Sequence, residues 1–145
     1  GYESVEALRL LDGVVDIYMP DLKYGASEGA SEYSQAPDYP EKAEAALREM
    51  HRQVGDLEIG PTGLAVRGLL VRHLVMPEDV AASEKAMQVL ADISRDTYVN
   101  IMTQYRPCAD AVGHPVIGRR LRYREYSRAV KAAREAGLHR LLGAD

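Results

Sequence analysis

The chain has one cysteine and neither tryptophan nor phenylalanine. A lone thiol, Cys108, excludes an intrachain disulfide framework and fits a reducing compartment, so the expectation is a cytoplasmic protein. No apolar run approaches the roughly 20 residues that a membrane span needs, and Gly1 does not open a signal peptide, so no membrane partner is expected. A net charge of -4 and a pI near 5.6 remove any global electrostatic attraction to nucleic acid or an anionic membrane. The chain also lacks a phosphate loop, a dinucleotide fingerprint and a Ser/His/Asp arrangement in a usable context. Cys108 and His114 lie in a loop without the ligand spacing of a zinc site, so no metal ligand is assigned.

What is present suits one domain spanning residues 1–145, with 46% hydrophobic and 28% charged residues and a modest core. The chain opens directly into a helix-like segment, which sets the expectation that it is the later part of a longer protein. Residues 4–11 carry Val5, Leu8 and Leu11 at helical spacing and stop at Gly13. An apolar strand at 14–19 follows, and residues 25–38, rich in Gly, Ser and Ala, read as a loop. Pro40 then opens a helix whose Ala43, Ala46, Leu47, Met50 and Val54 form one stripe.

Residues 57–59 and 64–66 flank Gly60-Pro61-Thr62-Gly63 as a small β-hairpin, and 69–75 form a second strand. Ser83 reads as the cap of a helix bearing Ala86, Leu90 and Ile93. Residues 98–103 make a third strand, and a last helix with Tyr126, Ala129, Val130 and Ala133 closes at Gly137. Three strand-then-helix units imply α/β architecture with parallel strands and right-handed crossovers. Tyr98, Tyr105, Tyr123 and Tyr126 are assigned the aromatic packing, and His51 a structural place on its helix. Arg119, Arg120, Arg122, Arg124 and Arg128, with Lys131, Arg134 and Arg140, read chiefly as a solvated face, an anion site being the alternative.

Ligands bind such sheets at the carboxyl ends of the strands, and all three strands end in polar groups. Extended geometry past Pro20 would put Met19, Asp21 and Lys23 on one face. Arg72 interrupts an apolar strand, where an unpaired guanidinium would be costly. His73 beside it faces either a ligand or a covering helix. Asn100 and Gln104 share a face, with Tyr105 and Arg106 just beyond. These groups could grip the hydroxyls and charges of a nucleoside ligand, or Asp21 could simply pair with Arg72 or Lys23 and close one end of a barrel.

Three segments in order, VVDIYMPDLKY (14–24), GLLVRHLVMP (68–77) and YVNIMTQYRP (98–107), resemble the C-terminal half of radical S-adenosylmethionine proteins related to pyruvate formate-lyase activating enzyme. The likeness extends to Ala-Pro-Asp-Tyr-Pro at 36–40 and REAGL at 134–138. It implies a partial (β/α) barrel, with this chain as the last three of six units plus the hairpin insertion. It also implies a radical enzyme whose 4Fe–4S cluster cleaves S-adenosylmethionine to a 5′-deoxyadenosyl radical. That radical abstracts hydrogen from a substrate or a protein partner such as a glycyl-radical enzyme.

By the resemblance, Asp21 and Lys23 of Asp-Leu-Lys and Arg72 lie beside cofactor and substrate. The third strand ends near the adenosyl group; here it reads Thr-Gln-Tyr where activating enzymes usually have Pro-Tyr-His, leaving Gln104 and Tyr105 as alternatives. The cofactor-contact set is therefore Asp21, Lys23, Arg72, His73, Asn100, Gln104 and Tyr105. The C-x-x-x-C-x-x-C cluster motif and the Gly-Gly-Glu segment are absent from these residues, and Cys108 alone cannot hold a cluster. The chain by itself is expected to be inactive, and its first strand to be an edge open to self-association. The alternative function is a non-catalytic β/α binding or interaction module.

Overall fold

The computed structural model describes residues 1–143. A short helix α1 (Val5–Arg9), capped by the Ser4 hydroxyl, runs through turns to Gly13, whose φ of 76° lies in the left-handed region glycine tolerates. Strand β1 (Ile17–Tyr18) is followed by helices α2 (Ser27–Ser34) and α3 (Tyr39–Val54). Strands β2 (Glu58–Ile59) and β3 (Ala65–Leu74), helix α4 (Ser83–Ile93), β4 (Tyr98–Met102), α5 (Tyr123–Glu135) and β5 (Leu141–Leu142) complete the order. Among the described residues the five strands form one sheet in which β1, β3, β4 and β5 are parallel neighbours in that order; β2 pairs antiparallel with β3. The architecture is α/β, and no described helix is long and apolar enough to cross a membrane.

Alternation along the strands decides the layers. Leu69, Val71, Val75, Val99 and Ile101 are buried in one apolar cluster with Leu47, Met50, Met87, Leu90, Ala129 and Leu138 from the helices. The opposite face carries Leu70, Arg72, Leu74, Tyr98, Asn100 and Met102, all only half-buried. Helices therefore cover one side of the sheet and leave the other open. The stripe read on α3 is buried throughout, and α5 ends as expected: with Gly137 at φ 92°, Leu138 N–H reaches Ala133 C=O and Gly137 N–H reaches Arg134 C=O.

Several expectations need correction. Residues 25–38 contain α2 and are not a plain loop; their glycines serve close packing. A Cβ on Gly25 would meet Ala82 O at 2.4 Å, and one on Gly29 would meet Val80 O at 2.2 Å. The hairpin arm and the second strand are one ten-residue strand, β3, because Gly68 at φ 115° lets the chain pass directly against Asp56 and Leu57. The first strand pairs over two residues plus an isolated Asp21 to Arg72 bridge, since Pro20 offers no N–H to a ladder.

Ser83 is not a cap: Ala82 precedes α4 in a left-handed conformation, and the Ser83 hydroxyl is spent on His73. The buried tyrosines are Tyr18, Tyr24 and Tyr39, whereas Tyr123 is 83% exposed. β5 carries no signal in so short a segment; Arg140 fixes its start, donating to Leu57 O at 2.6 Å and lying over the Tyr98 ring.

Candidate functional site

The open face carries one polar row near the carboxyl ends of the strands. Asp21 is the bridge partner of Arg72, Arg72 is in register with Asn100, and Asn100 with Leu142. Partners in a parallel ladder share a face, so Asp21, Arg72 and Asn100 stand side by side. The row is bounded by the apolar pair Leu74 and Met102 toward the strand ends and by Leu70 and Tyr98 on the other side.

Arg72 donates from Nε and Nη2 to the same Asp21 oxygen, Oδ1, at 2.7 Å each, and both side chains remain partly exposed. Lys23 is exposed and lines, with Asp21, Arg72, Met19 and Tyr39, a cleft of about 380 Å³. Asn100 and Gln104 line a second cleft of about 480 Å³ with Met102 and Tyr126. Arg72 of the first cleft and Asn100 of the second are register partners on neighbouring strands. The residue types fit hydroxyl-bearing and charged groups lying along an apolar strip: a carboxylate, two cations and two amides beside Leu74 and Met102. They do not fit an iron-sulfur cluster. Cys108 is the single thiol, and among the described residues no three His, Cys, Asp or Glu side chains are grouped to hold a metal ion.

The remaining expected residues are placed elsewhere. His73 faces the helices and is fully buried; its Nδ1 donates to Leu22 O at 2.7 Å, and its Nε2 lies 3.0 Å from Ser83 Oγ. Burial lowers its pKa below the ordinary histidine value and keeps it neutral, which permits this donor-and-acceptor pattern. Tyr105 turns inward, where its hydroxyl donates to Ile117 O at 2.9 Å and pins the loop after β4; burial raises its pKa. Gln104 is exposed beside Met102 Sδ. Of the two alternatives, Gln104 lines a cleft of the open face and Tyr105 does not. His51 pairs with Asp56 at 3.1 Å, consistent with its structural reading.

Two features were missed in the sequence. Tyr39, in the Ala-Pro-Asp-Tyr-Pro turn, holds its hydroxyl between Lys23 N–H (2.9 Å) and Asp21 C=O (3.1 Å), and burial pushes it up to about 12. Glu125, at the start of α5, accepts from Arg119 Nη2 at 2.6 Å and Nη1 at 2.9 Å and from the backbone of Glu78 and Arg122. The Arg119 guanidinium and these N–H groups hold its carboxyl down to about 2. This network ties α5 to the loop after β3, where Glu78, Asp79 and Ala82 all have positive φ. Part of the arginine crowd is therefore internally paired; no signal separates Arg119 from its neighbours in sequence. A cleft of about 600 Å³ along α5, lined by Tyr126, Lys131 and Gly143 among others, contains none of the polar row.

No protein-family model matches the chain. It is similar to an uncharacterized protein of Methanocaldococcus jannaschii, 33% identical over 138 residues. The match takes in 94% of this chain and 37% of that protein, so the chain spans little more than a third of the relative's length. No solved structure matches.

Proposed function

We propose that this chain is the last three units of a partial (β/α) barrel in a radical S-adenosylmethionine protein of the activating-enzyme type. In this reading its open sheet face is the inner wall that cradles S-adenosylmethionine and part of the substrate. The observation that carries the reading is the Asp21, Arg72 and Asn100 row. It lies at the carboxyl ends of parallel strands on the uncovered face, within the segments that resemble that family. Asp21 would accept from ribose hydroxyls, Lys23 and Arg72 would hold the carboxylate end of the ligand, and Asn100 with Gln104 would bond its polar edges. Leu74 and Met102 would exclude water from its apolar parts. A 4Fe–4S cluster would supply the electron for cleavage in such a protein, and Cys108 is too few thiolates to hold one.

A second reading, a non-catalytic β/α module, is favoured by the Asp21 to Arg72 pair, which neutralises both charges without a ligand. Titrating the chain with S-adenosylmethionine while recording amide NMR shifts separates the two. The cradle reading expects movement at Asp21, Lys23, Arg72 and Asn100, lost in Asp21→Asn. Saturating ligand that moves none of the row overturns it.

A further inference from the structure

We propose that Tyr39 and His73 are positioning residues for the rim. They lock the main chain of Asp21-Leu22-Lys23 from two sides, so that the Asp21 carboxylate and the Lys23 ammonium are presented in one geometry. The inference rests on the reading of that rim as a ligand cradle. It starts from a weakness in the sheet: β1 pairs over two residues and Pro20 has no N–H, so the ladder reaches the rim through the isolated Asp21 to Arg72 bridge, in which Arg72 N–H donates to Pro20 C=O at 2.9 Å. The structure supplies other partners. The Tyr39 hydroxyl accepts from Lys23 N–H at 2.9 Å and donates to Asp21 C=O at 3.1 Å. His73 Nδ1 donates to Leu22 C=O at 2.7 Å, and Leu22 N–H donates to Arg72 C=O at 2.9 Å.

Each positioner is itself held. The Tyr39 ring stacks on Tyr2 at 5.7 Å and meets Tyr24 edge-on at 5.6 Å. His73 Nε2 accepts from the Ser83 hydroxyl, and Ser83 N–H donates to Asp79 Oδ1 at 3.1 Å. Both roles need uncharged groups, a hydroxyl that donates and accepts and an imidazole with one nitrogen of each kind. Burial supplies this condition by raising the tyrosine and lowering the histidine pKa. With the backbone immobilised, Asp21 Oδ1 meets Arg72 with little loss of side-chain freedom left to oppose ligand binding.

The test reads the order of the Asp21 to Arg72 pair directly, through hydrogen exchange of the Arg72 Nε–H and the Lys23 amide by NMR. Tyr39→Phe keeps the ring and deletes the hydroxyl. It is expected to speed both exchanges at least tenfold and to weaken S-adenosylmethionine binding at least fivefold. Tyr18→Phe, which deletes a buried hydroxyl donating to Gln53 Oε1 at 2.7 Å, controls for lost stability and should change neither. His73→Asn, which keeps a donor near the Nδ1 position, should stay close to wild type, whereas His73→Leu should behave as Tyr39→Phe. If His73→Leu does not fold, Tyr39→Phe decides alone. The proposal is overturned if Lys23 opens while the Arg72 Nε–H exchanges at the wild-type rate, or if Tyr18→Phe matches Tyr39→Phe. A wild-type chain that binds no S-adenosylmethionine removes the cradle reading, and the Arg72 signal still decides whether the rim is positioned.

Discussion

Arg72 and His73 are neighbours on one strand, both polar, with opposite fates. Arg72 stands on the open face beside Asp21 and Asn100, partly wet, where a charge is tolerable and useful. His73 is sealed under α4 with both nitrogens bonded, where only the neutral ring is tolerable. The strand is therefore two surfaces: the covered face holds the fold and the open face carries the polar row. The comparison also shows how the faces communicate. His73, from the covered side, grips the carbonyl of Leu22, whose neighbours Asp21 and Lys23 belong to the open side.

The largest effect should come from the covered face. Leu69→Ala, at a site 1% exposed, is expected to cost about 2–5 kcal/mol in denaturant unfolding. Leu70→Ala next to it should cost about 1 kcal/mol or less, because less area leaves water there. Equal losses would break the two-face distinction.

His73→Leu should follow, at roughly 2 kcal/mol or more, since the Leu22 carbonyl and the Ser83 hydroxyl lose their partner. The histidine also predicts a pH signature. Its folded-state pKa lies below the ordinary 6.5, so the unfolded chain binds the proton more readily. Its stabilisation is fully present above about pH 6.5 and declines as the pH drops from there toward the folded-state value. Unfolding curves across roughly pH 5 to 8 should show this loss in wild type and a flatter profile in His73→Gln.

Glu125→Gln is expected to cost about 1–2 kcal/mol by removing charge-assisted hydrogen bonds to Arg119 and the Glu78 backbone. Here the sign is reversed. A carboxyl held at about 2 against an ordinary 4.5 stabilises above about pH 4.5, and that contribution is lost as the pH falls through about 2. Acid unfolding of the variant should lack that component. The smallest stability change belongs to Asp21→Asn, at most about 1 kcal/mol for a half-exposed pair and less in high salt. If the open face is the proposed cradle, its effect on S-adenosylmethionine binding should nevertheless be the largest of the set, which sharpens the contrast between the two faces.

Much of this division was legible in the residues. The apolar run at 69–75, interrupted by Arg72 and His73, marked a strand, and the α3 stripe and Gly137 marked helices, because these signals are local. The glycines at 25 and 29 misled, because a missing side chain looks the same in sequence whether it gives a loop its freedom or lets a helix approach a backbone at van der Waals distance. Ser83 misled for a related reason: its hydroxyl suits a cap, but the partner that claims it lies ten residues back on another element. β5 has two residues, too few to carry a period.

The sequence by itself determined the parallel α/β pattern, the lone thiol that rules out a self-contained cluster site, and Asp21, Lys23 and Arg72 as rim candidates. Period, composition and short motifs are properties of neighbouring residues. Tertiary structure alone decided that Asp21 meets Arg72 across 51 positions at 2.7 Å, that His73 turns away from them, and that Tyr39 closes on the Asp21-Leu22-Lys23 backbone. Such contacts depend on strand register and on which helix covers which face. Both are set by the packing of the whole core, so no local stretch encodes them.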